Sequence, residues 1–180
     1  MASKIRFSAF PRTEPAPPFT RKIIDVFRKH EESISTDVLK KGLTSDDVLG
    51  TLQPELSQLG FTVEKSKSAI DKIKRPVFFG ENGVPRIQYE IDAFNEEWKC
   101  GLEVEAGRAW MGNAIYRDLI QAMVMVQLAT LVLAVPNCYR YKSAGCDITS
   151  QDYERSCNVA DALFGHTRIH LPYSLVLVGY

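Results

Sequence analysis

The chain has no excess of either charge: 22 basic residues balance 22 acidic ones. Nucleic-acid binders often carry a basic surplus, so neutrality weighs mildly against that class, although acidic residues gathered at one site can mask a basic face elsewhere. Cysteine is scarce as well. Cys100, Cys138, Cys146 and Cys157 form no C-x-x-C pair and have no histidine at zinc-finger spacing, so they read as free thiols of a cytoplasmic protein. The most apolar stretch, LIQAMVMVQLATLVLAVP, is interrupted by Gln121, Gln127 and Thr130, whereas a membrane-spanning helix needs about 20 largely apolar residues. A buried helix followed by a buried strand fits it better, and no membrane partner is expected. The N-terminus lacks the continuous apolar segment of a secretory signal. Also missing are the G-x-x-x-x-G-K-[ST] phosphate loop, the G-x-G-x-x-G fingerprint and the G-x-S-x-G elbow. ATPase, dinucleotide-dependent dehydrogenase and hydrolase readings therefore lack their usual marks.

What is present is an ordinary globular composition, 45% hydrophobic and 24% charged over 180 residues. That suffices for one domain with a central sheet and helices on it. Pro11, Pro15, Pro17 and Pro18 make residues 1–20 read as an extended arm, leaving 21–180 as the domain. Helical spacing marks TRKIIDVFRKHEESI and TSDDVLGTLQPELSQLGF, the second capped by Thr44 or Ser45 and expected to bend or restart at Pro54. FTVEK, RPVFFG, VPRIQYEIDAF, CGLEVEAG, TLVLAVP and YSLVLVGY read as strands, with an Asn-Gly turn after RPVFFG. Further helices are expected over Met111 to Leu128 and from about Thr149 to Phe164. This order describes an α/β chain with a mixed sheet.

Chemistry concentrates between Tyr89 and Ala109, YEIDAFNEEWKCGLEVEAGRA. Side chains two apart on a strand share a face, so Glu103 and Glu105 look the same way. A hairpin turn at NEEWK would set Asp92 across from them. Three carboxylates on an apolar scaffold repel one another in a low dielectric. Two readings are open: a solvated antiparallel face, or an oxygen-donor site for a hard divalent cation such as Mg²⁺. The densest basic stretch lies upstream, with Lys65, Lys67, Lys72, Lys74 and Arg75. His166 and His170 have zinc-pair spacing, but Gly165 and Pro172 oppose the helix that such a pair needs.

The D…E-x-E pattern, on a hairpin between an upstream helix and a downstream helix–strand pair, resembles the PD-(D/E)XK nuclease superfamily, which includes restriction endonucleases and Holliday-junction resolvases. The resemblance runs from about Leu49 to Val135. IDAF supplies Asp92, LEVEAG supplies Glu103 and Glu105, and LQPELSQLGFTVE is similar to the superfamily's leading helix, which adds Glu55. Ile91 stands where a proline usually precedes the first aspartate, and Glu105 stands where lysine is usual. Some type II restriction endonucleases of this fold carry glutamate there. The resemblance implies a restriction-endonuclease-like α/β core with a central mixed sheet flanked by helices. It also implies a homodimeric, Mg²⁺-dependent endodeoxyribonuclease, with Mn²⁺ able to substitute. Asp92, Glu103 and the backbone carbonyl of Val104 would hold the metal, Glu105 would position water, and Glu55 would be an outer or second-metal ligand. Lys72, Lys74, Arg75, Arg108 and Arg117 would contact DNA. The missing lysine, the missing proline and the neutral charge favour an alternative, a catalytically weakened DNA-binding or regulatory protein on the same fold.

Overall fold

The computed structural model describes residues 3–39, 42–66, 68, 70–107 and 114–180. In chain order the elements are β1 (Arg6–Phe10), α1 (Thr20–Lys29), α2 (Glu31–Ile34), α3 (Ser45–Gln58), β2 (Thr62–Val63), β3 (Ile73–Phe79), β4 (Pro85–Ile91), β5 (Ala93–Asn95), β6 (Cys100–Val104), α4 (Ala114–Val124), β7 (Thr130–Val135), β8 (Tyr139–Ser143), β9 (Cys146–Ser150), α5 (Asp152–Phe164) and β10 (Ser174–Gly179). Six strands form the central sheet in the order β1-β10-β7-β6-β5-β2. β6, β7 and β10 run parallel, and the outer strands are antiparallel to their neighbours, so the sheet is mixed.

The apolar run TLVLAV becomes β7, buried at all six positions, as a central strand covered on both faces must be. Leu131, Leu133 and Val135 meet the cluster under α4 and α5, while Val132 and Ala134 meet the one under α1, α2 and α3. Leu102 and Val104 of β6 belong to the α1–α3 side. Alternation therefore turns Gly101, Glu103 and Glu105 toward α4. That helix packs Ile115, Leu119 and Ala122 into the core beneath it.

Several elements depart from the expectation. Arg6–Phe10 is an edge strand paired antiparallel with β10, not a free arm: the prolines start only at Pro11, which leaves KIRFSAF able to donate to a ladder. The helix expected to follow is divided at His30 into α1 and α2. Pro54 lies inside α3 without breaking it. Val48, Leu49, Leu52 and Leu56 are buried on both sides of the proline, and this packing holds the helix through the lost hydrogen bond. VPRIQYEIDAF is not one strand. It breaks at Asp92, and β3 and β4 leave the sheet as a separate ribbon whose tip has Asn82 and Gly83 at positive φ. A second ribbon, β8–β9, follows β7. Ala144 and Gly145 both adopt positive φ there, as a two-residue hairpin turn requires. The expected helix start at Met111 lies outside the described residues. Among those residues, no helix is long and apolar enough to cross a membrane.

The start of α3 carries a full capping box: Thr44 accepts from the Asp47 N–H, and Asp47 accepts from the Thr44 N–H. Thr44→Ala is expected to cost about 1 kcal/mol and to lower Tm by about 2–4 °C in a thermal melt.

Candidate active site

Asp92 sits at the bend where β4 hands over to β5. The β5–β6 pairing sets Ala93 against Leu102 and Phe94 against Gly101, and the next step of that register sets Asp92 against Glu103. Gly101 helps to fix this bend. A Cβ there would lie 2.3 Å from Ile91 Cδ1, so glycine lets Ile91 pack under the bend that presents Asp92. Asp92 Oδ2 accepts the Val104 N–H at 2.8 Å. The Glu105 N–H turns the other way, to the Ala134 carbonyl at 2.8 Å. Within a strand the N–H and C=O of one residue point to the same side, so the Val104 carbonyl shares the edge on which Asp92 lies.

The Asp92 and Glu103 side chains are hydrogen-bonded to each other. Burial pushes Asp92 up to about 6. Burial, reinforced by the negative charges of Asp92 and Asp118, lifts Glu103 well above the ordinary carboxylate range. Burial therefore holds both carboxyls above their ordinary values.

Helix α4 adds a carboxylate that the D…E-x-E pattern does not contain. Asp118 falls on the apolar stripe with Ile115, Leu119 and Ala122 and is 2% exposed. Arg117 Nε donates to its Oδ1 at 2.9 Å, while its Oδ2 is buried without a hydrogen-bond partner among the described residues. Burial, then the neighbouring charge of Glu105, pushes Asp118 up to about 7. Arg117 Nη2 also donates to Glu105 Oε1 at 2.7 Å. From the ribbon side, Lys72 Nζ reaches Glu64 Oε1 at 2.7 Å and Glu90 Oε2 at 3.7 Å. Asp92, Glu103, Asp118, Glu64, Lys72 and Arg117 all line one cleft of about 500 Å³.

Other expected site residues lie elsewhere. Glu55 does not join the cluster: its carboxylate is bound by Lys29 and His30 at the end of α1, which hold it down to about 2. Arg75 is no free phosphate contact. Its side chain is 12% exposed, paired with Glu96 and stacked 3.8 Å from the centre of the Phe94 ring. Lys74, one position along the strand, points outward and is exposed. Arg108 lies outside the described residues. Among the described residues, no group of three or more His, Cys, Asp or Glu side chains is set to hold a metal ion. The prearranged oxygens are thus a pair, Asp92 and Glu103, with Glu105 and Asp118 joined beside them through Arg117.

Superposed on solved structures, the chain is similar to restriction endonuclease BglII in its complex with a 16-mer DNA, with a TM-score of 0.54 and 14% identity, over 98% of this chain and 75% of that chain. The fold is restriction-endonuclease-like. No family model and no curated protein matches the sequence. In this restriction-endonuclease-like core the carboxylates stand at the carboxyl end of β6, where parallel strands of open α/β sheets commonly present ligand sites.

Proposed function

We propose that the chain is a divalent-cation-dependent endonuclease that hydrolyses phosphodiester bonds in DNA. The observation that carries the reading is the Asp92–Glu103 pair, set side by side by the β5–β6 register and buried beside Val104 at the edge of the cleft. Mg²⁺ commonly takes only one or two carboxylates and completes its octahedron with water and phosphate oxygens. Two carboxylates and a carbonyl meet that demand without a third acidic ligand, and the orphaned Asp118 Oδ2 nearby is a further unused acceptor. The bound cation would supply Lewis acidity and a lowered water pKa. Asp92, Glu103 and the Val104 carbonyl would hold it, with Mn²⁺ able to replace Mg²⁺. Glu105, partly exposed and paired with Arg117, would orient the attacking water and accept its proton. Lys72 and Arg117 line the same cleft and would contact the scissile phosphate. Lys74 would extend that contact along the backbone. Two-fold pairing of chains would bring a second site to the opposite strand.

The test is nicking of supercoiled plasmid with Mg²⁺ or Mn²⁺. Nicking is expected with either cation, is abolished by chelator, and falls at least about a hundredfold in Asp92→Ala and in Glu103→Ala. Undiminished nicking in both variants would overturn the assignment. DNA binding without cleavage is the second reading. It is favoured by the lack of a ready three-ligand cluster among the described residues, and a retained gel shift with no nicked product would establish it.

A further inference from the structure

The four carboxylates of the site fall into two pairs. Asp92 and Glu103 are hydrogen-bonded to each other; Glu105 and Asp118 are likewise in hydrogen-bond contact and are both held by one guanidinium. Arg117 Nη2 lies 2.7 Å from Glu105 Oε1 and 2.8 Å from Asp118 Oδ1. Arg117 Nε donates to the same Asp118 oxygen at 2.9 Å. The other oxygen, Asp118 Oδ2, has no partner among the described residues, although the residue is almost fully buried and borders the cleft. The second pair therefore has the anionic oxygens of a cation seat, one of them unused, with a side-chain cation already in place.

We infer that Glu105 and Asp118 form a second cation seat and that Arg117 occupies it as a built-in cation. The inference deepens the nuclease reading and rests on it. Phosphodiester hydrolysis at two-metal sites uses one cation for the attacking oxygen and another for the leaving oxygen. Here the chain supplies the second positive charge itself. A guanidinium suits the task because it cannot lose its proton and offers five donors in one plane. Arg117 is 58% exposed, so its charge remains within reach of a phosphate in the cleft while two of its nitrogens hold the carboxylates. Because the guanidinium is attached to the residue adjoining Asp118, it competes with any free ion at high effective concentration. The consequence is a requirement for one divalent ion per chain, not two.

Calorimetric titration with Mn²⁺ at pH 8, with free Mn²⁺ followed in parallel by its paramagnetic resonance signal, tests this directly and needs no turnover. The parent chain and Arg117→Lys bind one Mn²⁺. Arg117→Met binds two, and the double variant Arg117→Met/Asp118→Asn returns to one. Arg117→Gln, which keeps a donor and most of the length, replaces the Met variant if circular dichroism shows that the latter has unfolded. Two ions on the parent chain, or one on a folded Arg117→Met or Arg117→Gln chain, overturn the inference and leave the nuclease reading standing. No ion on any variant overturns the cation-dependent reading, and this inference with it.

Discussion

Without divalent cations, Asp92→Asn melts well above the parent chain at pH 8 and level with it at pH 4. The reason is proton linkage. The ordinary value for this carboxyl is 3.8, and burial in the folded chain pushes it up to about 6. The folded state therefore binds the proton more tightly than the unfolded chain does. The stability gained from that proton is fully present below about pH 4. It drains away as pH rises through 6, and the whole difference is lost by about pH 7. The loss amounts to at most about 3 kcal/mol, or up to about 10 °C in a chain of this size. Asparagine keeps an oxygen for the Val104 N–H and has no charge to bury. Glu103 acts in the same direction, and Asp118, at about 7, extends the window upward. Glu55 works oppositely. Held at about 2 by Lys29 and His30, it contributes stability that is present above its ordinary 4.5 and lost as pH falls toward 2. The parent chain is thus expected to be most stable near pH 4–5. Calorimetric melts in chelator from pH 3 to pH 8 check this. A parent Tm that rises between pH 5 and pH 8, or an asparagine variant that melts lower at pH 8, contradicts the burial account. Mn²⁺ added at pH 8 should recover the loss in the parent chain, by about 2.7 kcal/mol at a hundredfold excess over Kd, and recover much less in Asp92→Asn.

How much of this was legible in the sequence depended on whether one dimension held the answer. TLVLAVP could only be a strand buried on both faces, and it became β7. The turn at NEEWK fixed the register of β5 on β6, and with it the approach of Asp92 to Glu103. Glu55 was misplaced because a helix has several faces. With Leu52 and Leu56 buried, Glu55 comes round to the end of α1, where Lys29 and His30 take it. Lys74 and Arg75 were grouped as one basic run. A strand sends neighbours to opposite faces, so one went to solvent and the other onto Phe94. Asp118 was readable in principle, since Ile115, Leu119 and Ala122 place it on a buried stripe. It lies outside the D…E-x-E pattern, which drew its carboxylates from the hairpin strands. KIRFSAF was hidden by the prolines that follow it.

Glu103→Gln and Glu55→Gln separate the two glutamates that the sequence grouped together. Glu103→Gln is expected to reduce metal-dependent nicking at least about a hundredfold, because an amide presents a single oxygen and cannot offset a divalent charge. Its Tm at pH 8 holds or rises, since the substitution removes a carboxyl whose burial disfavours its charged form. Glu55→Gln is expected to leave nicking within about twofold, as for a site with no shared partners. Its mark is on stability. The contribution of Glu55 is present above pH 4.5 and lost as pH falls toward 2, so the variant melts below the parent at pH 7 and the two converge at pH 2. Plasmid nicking and thermal melts on the same preparations decide the matter. Loss of nicking in Glu55→Gln to the extent seen in Glu103→Gln would mean that α3 delivers its carboxylate to the cleft during turnover. That would require Lys29 and His30 to release it, and it would restore the place that the superfamily resemblance gave this residue.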